Sequence, residues 1–274
     1  MEPFVKWAGG KRQLWNRIWD RTPNDFDTYY EPFVGGGAVL LSLQPQKAVI
    51  NDTNEQLINV YKQLQKDPRA VICKVKDLDK EICDKDYYLS MRAEYNEKIA
   101  GHELDSDCAA YMIWINKHCF NGLYRVNTKG LFNVPWNKKE TGRSMDEENL
   151  LAIGQYLQNN DIRICCSDFE TVCKDIKEGD FVYFDSPYVP ISPTASFTDY
   201  TKDGFTYEDH ERLAKLYRKL SELNVKAMLS NHDVELVHEL YEGFKIESLA
   251  VMRNINSDAK KRTGKEVIIT NYEV

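Results

Sequence analysis

Tyr29-Tyr-Glu-Pro-Phe-Val-Gly-Gly-Gly-Ala-Val-Leu-Leu-Ser-Leu43 sets the fold class. An acidic residue and a short apolar stretch lead into Gly35, Gly36 and Gly37, and an apolar, helix-like run follows. Glycines permit a tight turn and a close approach of backbone to a ligand. The spacing is not the strict Gly-x-Gly-x-x-Gly of dinucleotide sites. Downstream, Ala48-Val-Ile-Asn-Asp52 reads as a second strand ending in an acid. Strand, glycine turn, helix and second strand make a βαβ unit, and an acid at the second strand's tip can hold ribose hydroxyls. Taken singly, these pieces are also what a helix-capping loop and a turn aspartate look like. Taken together they favour an adenosine-type ligand.

Phe181-Val-Tyr-Phe-Asp-Ser-Pro-Tyr188 is the second informative stretch. Four apolar residues read as a short buried strand. Asp185 stands at its carboxyl end, where open α/β sheets bind their ligands. Pro187 disfavours the α region for Ser186 and so restricts the direction of the Ser186 carbonyl. Asp185 and that carbonyl make two acceptors beside the ring of Tyr188, enough to hold an amino group on a flat heterocycle. The competing reading is an ordinary strand-to-loop turn, because Asp, Ser and Pro are common turn formers.

The chain has 274 residues, 42% of them hydrophobic, and a net charge of -7. That suffices for a full core in one large domain, or in a core with an insertion. No apolar run is long enough to span a membrane, and the N-terminus lacks the apolar stretch of a signal peptide. Seven cysteines without a Cys-x-x-Cys spacing point to a reduced, cytoplasmic compartment. Cys165-Cys166 sit in an apolar run that suits a strand better than a metal site, and no metal is expected.

Around these stretches the chain reads as alternating elements. Residues 3–12 place Gly9-Gly10 between Trp7 and Lys11-Arg12, ahead of a helix marked by Leu14 and Ile18. A lysine beside such glycines suits a carboxylate or phosphate, although the segment is not a P-loop. A helix is expected from Thr53 to about Gln65. Residues 67–110 are charged and helix-prone, and Tyr111-Met-Ile-Trp-Ile115 reads as a buried helical segment. Leu123-Tyr-Arg-Val126 and Leu131-Phe132 flank Asn127-Thr-Lys-Gly130 as a hairpin. Within 115–143, Lys117, Arg125, Lys129, Lys138, Lys139 and Arg143 stand against Glu140, a net charge of +5. Aromatic residues interleave with these cations, as a phosphate-tracking, base-contacting surface requires. A plain solvated hairpin would read similarly.

Residues 161–169 read as a strand ending in Asp168-Phe169. Residues 191–205 form a candidate lid. A helix follows from Thr206 to Leu220, then a strand at 225–230 with Asn231-His-Asp at its end. A helix at about 233–241 and strands at about 245–252 and 266–272 close the chain, with a basic loop from Arg253 to Lys265.

Lys-Trp-Ala-Gly-Gly-Lys at 6–11, Glu-Pro-Phe-Val-Gly-Gly-Gly-Ala at 31–38, Asn-Asp at 51–52, Asn-Gly-Leu-Tyr-Arg at 121–125, Phe-Asn-Val-Pro at 132–135 and Asp-Ser-Pro-Tyr at 185–188 carry a resemblance. Together and in this order they resemble the Dam-type DNA adenine-N6 methyltransferases, the D12 class of group alpha. The likeness covers nearly the whole chain. One departure stands out, because the family usually has Asp-Pro-Pro-Tyr and here the first proline is Ser186.

The resemblance implies an α/β fold, a Rossmann-like sheet that binds S-adenosyl-L-methionine (AdoMet), with its final two strands antiparallel. An AdoMet-binding catalytic domain at 1–54 and 165–274 would accept an insertion at 55–164. This insertion would be a mainly helical target-recognition domain carrying the β-hairpin. By motif matching, Trp7, Lys11, Asp52 and Asp185 would contact AdoMet. Gly35, Gly36 and Gly37 would shape its methionine pocket, and Asp168 and Phe169 would border its adenine. Asn121, Leu123, Tyr124, Arg125, Asn133 and Pro135, with Lys138 and Lys139, would contact double-stranded DNA, and GATC is the implied site. Asp185, Ser186, Pro187 and Tyr188 would act on an adenine turned out of the duplex. No obligate protein partner is evident, and the family leaves room for a companion restriction endonuclease. Methylation of cytosine N4 or of RNA amines would use a similar acceptor pair. A catalytically silent DNA-binding relative is the reading that Ser186 keeps open. The absence of any Pro-Cys dipeptide argues against the cysteine-nucleophile route to cytosine C5.

Overall fold

The computed structural model describes residues 1–7, 9, 11, 14–140, 143–190, 205–252 and 263–273. The candidate lid before Phe205 and the basic loop at 253–262 lie outside them. Among the described residues, no helix is long and apolar enough to cross a membrane. All seven cysteine thiols are free.

The strands are β1 (Tyr29–Glu31), β2 (Lys47–Asn51), β3 (Asp161–Cys165), β4 (Phe181–Phe184), β5 (Lys226–His232), β6 (Lys245–Met252) and β7 (Thr263–Thr270). They form a seven-stranded sheet in the order β3-β2-β1-β4-β5-β7-β6. β1 pairs in parallel with β2 and β4, and β4 with β5, whereas β7 runs antiparallel to both β5 and β6. The sheet is mixed and mostly parallel, as the Rossmann-like methyltransferase expectation requires. β4 is buried along its whole length. A parallel strand covered on both faces reads as a continuous apolar run, and Phe-Val-Tyr-Phe is such a run. Strand order reverses between β1 and β4, so the crevice outside their carboxyl ends is the expected ligand position.

By internal contacts the chain divides into two compact units. The first comprises 1–11, 34–46 and 51–167, and the second 12–33, 47–50 and 168–274. The first is mainly helical, with α3 (Glu55–Lys66), α4 (Pro68–Leu78), α5 (Lys85–Ala100), α6 (Ser106–His118) and α7 (Glu147–Asn159). An Asn or Asp side chain accepts from first-turn N–H groups at the start of each: Asn54, Asp67, Asp84, Asp105 and Asp146. These are strong N-cap residues, and they set where each helix begins. α6 is buried from Cys108 to Asn116 and packs against α3, α4 and α5. This all-round burial explains why Tyr111–Ile115 shows no amphipathic stripe.

The expected hairpin at 123–135 is an antiparallel reversal made of isolated bridges, Val126 to Phe132 and Cys119 to Trp136, rather than regular strands. Asn127 N–H donates to Leu131 O at 2.8 Å and Asn133 N–H to Arg125 O at 3.1 Å. Pro135 has no N–H to extend a ladder, and its carbonyl accepts from Phe120 N–H at 2.8 Å. α5 anchors the reversal: Asn96 donates to Phe132 O at 3.0 Å and accepts from Phe132 N–H at 2.8 Å. Tyr88 hydroxyl donates to Val134 O at 2.9 Å.

The second unit carries the short α8 (Phe169–Val172), the long α9 (Tyr207–Glu222) and α10 (Glu235–Leu240). Thr206 opens α9 with a capping box: its hydroxyl accepts from Asp209 N–H, and the Asp209 carboxylate accepts from Thr206 N–H. α8 passes directly into a 3-10 turn at Cys173–Asp175.

Candidate active site and DNA-contact segment

In the first unit, Val34 N–H donates to Asn51 O and Gly37 N–H to Val34 O, each at 2.8 Å. These bonds turn the glycine loop into α2 (Ala38–Leu43). Gly35 and Gly37 have φ of +50° and +75°, a region that L side chains rarely adopt. The space they leave is taken by aromatic side chains of this chain. A Cβ at Gly35 would lie 2.9 Å from Trp7 Cδ1, one at Gly36 3.2 Å from Trp7 Cβ, and one at Gly37 2.4 Å from the Tyr61 hydroxyl. That hydroxyl donates to Gly35 O at 2.9 Å.

Asp52 is half-buried just past β2. Its Oδ2 accepts from Gly35 N–H at 3.1 Å and its Oδ1 from Asn54 N–H at 2.9 Å. Burial raises its carboxyl above the ordinary aspartate value, opposed by the backbone N–H groups of Asn54, Gly35 and Thr53. Each carboxylate oxygen can accept more than one bond. Lys11 is only 4% exposed, and its Nζ donates to Gly9 O at 2.7 Å. The first unit therefore holds a buried cation, a half-buried carboxylate and the half-buried indole of Trp7. This donor and acceptor set suits a ligand that bears a carboxylate, a diol and an apolar stem.

Gly37→Ala tests the loop. A left-handed alanine costs about 1–2 kcal/mol, and crowding against Tyr61 adds roughly 1–3 kcal/mol. Denaturant unfolding of the variant beside the wild type should show a destabilisation of that order. An unchanged midpoint and slope would mean that the loop relaxes freely.

In the second unit, Asp185 follows β4 directly. The β4–β5 register pairs Phe184 with Leu229, which brings the next residues, Asp185 and Ser230, side by side. Ser230 Oγ lies 3.2 Å from Asp185 Oδ1 and 2.9 Å from the hydroxyl of Tyr183. Ser186 is 2% exposed, and its hydroxyl has no hydrogen-bond partner among the described residues. Pro187 is exposed and Tyr188 half-buried. Tyr188 hydroxyl donates to Glu266 Oε2 at 3.1 Å, and its ring meets the His232 ring edge-on at 4.8 Å. Burial, then the charges of Asp185 and Glu266, hold the Tyr188 phenol well above its ordinary value, so it stays neutral. Asn231 Oδ1 accepts from Val189 N–H at 2.9 Å, and His232 Nδ1 lies 2.7 Å from Val189 O.

Asp168 caps α8, accepting from Glu170 N–H at 2.9 Å. Phe169 is buried against Phe33, with centroids 5.4 Å apart, and against Phe205 at 6.0 Å. Arg212 lies over the Phe169 ring at 4.8 Å and pairs with Asp168, Glu170 and Asp209. Ser230, Asn231, His232, Glu266 and Arg212 received no role from the sequence. The polar Ser230-Asn-His232 end of an otherwise apolar strand was the signal available.

The residues expected to contact DNA separate into two groups. Asn121, Leu123, Arg125, Pro135, Lys138 and Lys139 are exposed. Arg125 Nε donates to Asn133 Oδ1 at 2.7 Å, which holds the guanidinium across the reversal. Tyr124 faces inward instead, with its ring 5.4 Å from Trp7 and 5.6 Å from Phe132. Among the described residues, no group of three His, Cys, Asp or Glu is placed to hold a metal ion.

A family model for D12 class N6 adenine-specific DNA methyltransferases matches residues 7–255. The chain is 42% identical over 274 residues to type II methyltransferase M1.LlaDCHI of Lactococcus lactis subsp. cremoris, covering 99% of this chain and 96% of that protein. It is 40% identical over 295 residues to type II methyltransferase M.MjaIII of Methanocaldococcus jannaschii, with 99% of both chains covered. The DNA adenine methylase of Escherichia coli K12 is 29% identical over 272 residues, covering 98% of this chain and 95% of that protein. The matched span runs from Trp7 through the glycine loop, the Arg125 reversal, Asp185 and the whole of β6 to residue 255. The chain is therefore a member of the D12 class of N6 adenine-specific DNA methyltransferases, enzymes that place a methyl group on adenine in DNA.

Proposed function

We propose that AdoMet is the methyl donor and that the acceptor is an adenine turned out of double-stranded DNA, within GATC. The observation that carries this reading is the set of groups at the carboxyl end of β4. Asp185 is oriented there by Ser230, followed by the Ser186 carbonyl and a neutral, half-buried Tyr188. The adenine N6 lone pair is delocalised into the ring, so the amine is a poor nucleophile. Two acceptors on its hydrogens favour pyramidalisation and stabilise the positive charge that develops on nitrogen. Asp185 and the Ser186 carbonyl supply them, and Tyr188 supports the base by stacking. The reacting atom is inaccessible in a paired stack, which calls for an extruded base.

AdoMet supplies an electrophilic methyl on a sulfonium. Asp52 would accept from the ribose hydroxyls and Lys11 would pair with the carboxylate. Trp7 and the loop at Gly35, Gly36 and Gly37 would flank the methionine portion. In the second unit, Asp168 and Phe169 would border the adenine ring. On this reading 55–164 recognises the target, while 1–54 and 165–274 bind AdoMet and catalyse. Incubation with methyl-labelled AdoMet and mixed-sequence duplex DNA, then nucleoside analysis and base-resolution mapping, tests it. N6-methyladenine confined to GATC is expected. Methylation confined to another adenine context would overturn the site assignment, and label transfer only from another donor would overturn AdoMet.

Arg125 is the proposed reader of a guanine edge, since a guanidinium bonds O6 and N7 together. Arg125→Ala should cost about 1–3 kcal/mol and relax preference at one base position. Removing Lys138 or Lys139 should weaken all sequences alike and lower the salt dependence of binding. Competition binding with cognate and singly altered duplexes checks this, and an equal loss on both would make Arg125 a phosphate contact.

A further inference from the structure

The turn from Asp185 to Val189 has a serine as its second residue, ahead of Pro187. A proline there would hold φ near -65° without help. Ser186 brings no such restraint, and its buried hydroxyl adds no bond among the described residues. Pro187 limits Ser186 only in part. The turn must nevertheless be rigid, because a carbonyl can act on a developing charge only if its direction is set beforehand.

The restraint comes from β5 and β7. Ser230 holds Asp185 at one end of the turn. At the other end, Asn231 Oδ1 accepts from Val189 N–H at 2.9 Å and from His232 N–H at 2.8 Å. His232 Nδ1 lies 2.7 Å from Val189 O, and a carbonyl can only accept, so Nδ1 carries the proton and donates. Both polar groups of the Val189 peptide segment are thus gripped by two consecutive side chains. Asn231 is 1% exposed and Val189 6%, so these bonds form away from competing water. Between the two ends, Tyr188 is tied to Glu266. The antiparallel register pairs His232 with Glu266, which places all of these groups on one stretch of sheet.

We propose that Asn231 and His232 are positioning residues for methyl transfer, a clamp on Val189 that supplies the restraint Ser186 lacks. The proposal rests on the reading of Asp185 and the Ser186 carbonyl as the amine acceptors. It makes a distinctive forecast: Ser186→Pro should help more when the clamp is broken than when it is intact.

The test is a double-mutant cycle on the full chain, read by single-turnover methylation of duplex DNA and by AdoMet calorimetry. Asn231→Ala and His232→Phe should each lower the transfer rate about tenfold, the scale of one lost hydrogen bond. AdoMet affinity should change far less than the rate. His232→Asn, which keeps a donor near Nδ1, should lose less than His232→Phe. Adding Ser186→Pro to either broken clamp should recover most of the loss, and more than the same substitution adds to the wild type. Asn231 is in the core, so if Asn231→Ala does not fold, the half-exposed His232 carries the cycle. Clamp variants at wild-type rate, or losses that Ser186→Pro does not recover in a folded background, overturn the proposal. Asp185→Ala in the same assay separates the two levels: if it transfers methyl normally, the acceptor reading itself has failed.

Discussion

Asp185→Ala is expected to reduce single-turnover methyl transfer by about 100- to 1,000-fold or more, the scale for removing one preorganised group from a developing charge. The aspartate stands at the carboxyl end of a strand buried along its whole length, so its backbone position is fixed. Its Oδ1 accepts from Ser230 Oγ, which in turn is bonded to Tyr183. A carboxylate held in this way pays little reorganisation when the amine approaches. Alanine removes both the charge and the acceptor. Asp185→Asn keeps the shape and one acceptor oxygen but removes the charge, so its rate should fall between the two. Rapid-quench measurements at saturating DNA and AdoMet decide the matter. A rate within threefold of wild type for Asp185→Ala would remove the residue from the chemistry.

The second large effect concerns Asp52. Asp52→Ala should weaken AdoMet binding about 10- to 150-fold, corresponding to a charge-assisted bond of roughly 1.5–3 kcal/mol. The variant also frees Gly35 N–H and Asn54 N–H, so loop geometry contributes to the loss. The pH dependence has a definite sign. Burial raises the Asp52 carboxyl above its ordinary value. On the proposed reading the ionised carboxylate would accept from both ribose hydroxyls, and the protonated one would lose part of that capacity. AdoMet affinity should therefore fall as pH drops through the raised value, earlier than for an exposed aspartate. The fold itself responds in the opposite sense. Burying the charge costs stability at neutral pH, and that cost is relieved as the group takes up a proton. Calorimetry across acidic to neutral pH, wild type beside Asp52→Ala, checks both points. Equal affinity in a folded Asp52→Ala protein would remove the ribose assignment.

Tyr124 shows how a local motif leaves the direction of a side chain open. Asn121 to Arg125 reads as a contact segment, and three of its side chains, those of Asn121, Leu123 and Arg125, are exposed. The ring of Tyr124, however, packs on Trp7 and Phe132. Its neighbour Phe132 is fixed in turn by Asn96 of α5, which lies far away in sequence. The short strand-like runs around Asn127-Thr-Lys-Gly130 were legible, but their pairing is confined to single bridges. Propensity describes how a segment can extend, whereas ladder length depends on what it meets.

By itself the sequence determined the local elements and the identity of the chemical groups. Apolar runs marked β2, β4 and β5, helical periodicity marked α3, and glycines marked the turn at 35–37. Those signals are short-range, arising from a residue and its near neighbours. Tertiary structure alone decided which groups share a site. Parallel register between β4 and β5 sets Ser230 beside Asp185, 45 residues away. Antiparallel register between β5 and β7 sets Glu266 opposite His232 and within reach of Tyr188. A one-residue slip in either pairing would send those side chains to the opposite face of the sheet. The clamp on Val189 and the orientation of Asp185 therefore depend on pairings between distant strands, which a local pattern does not encode.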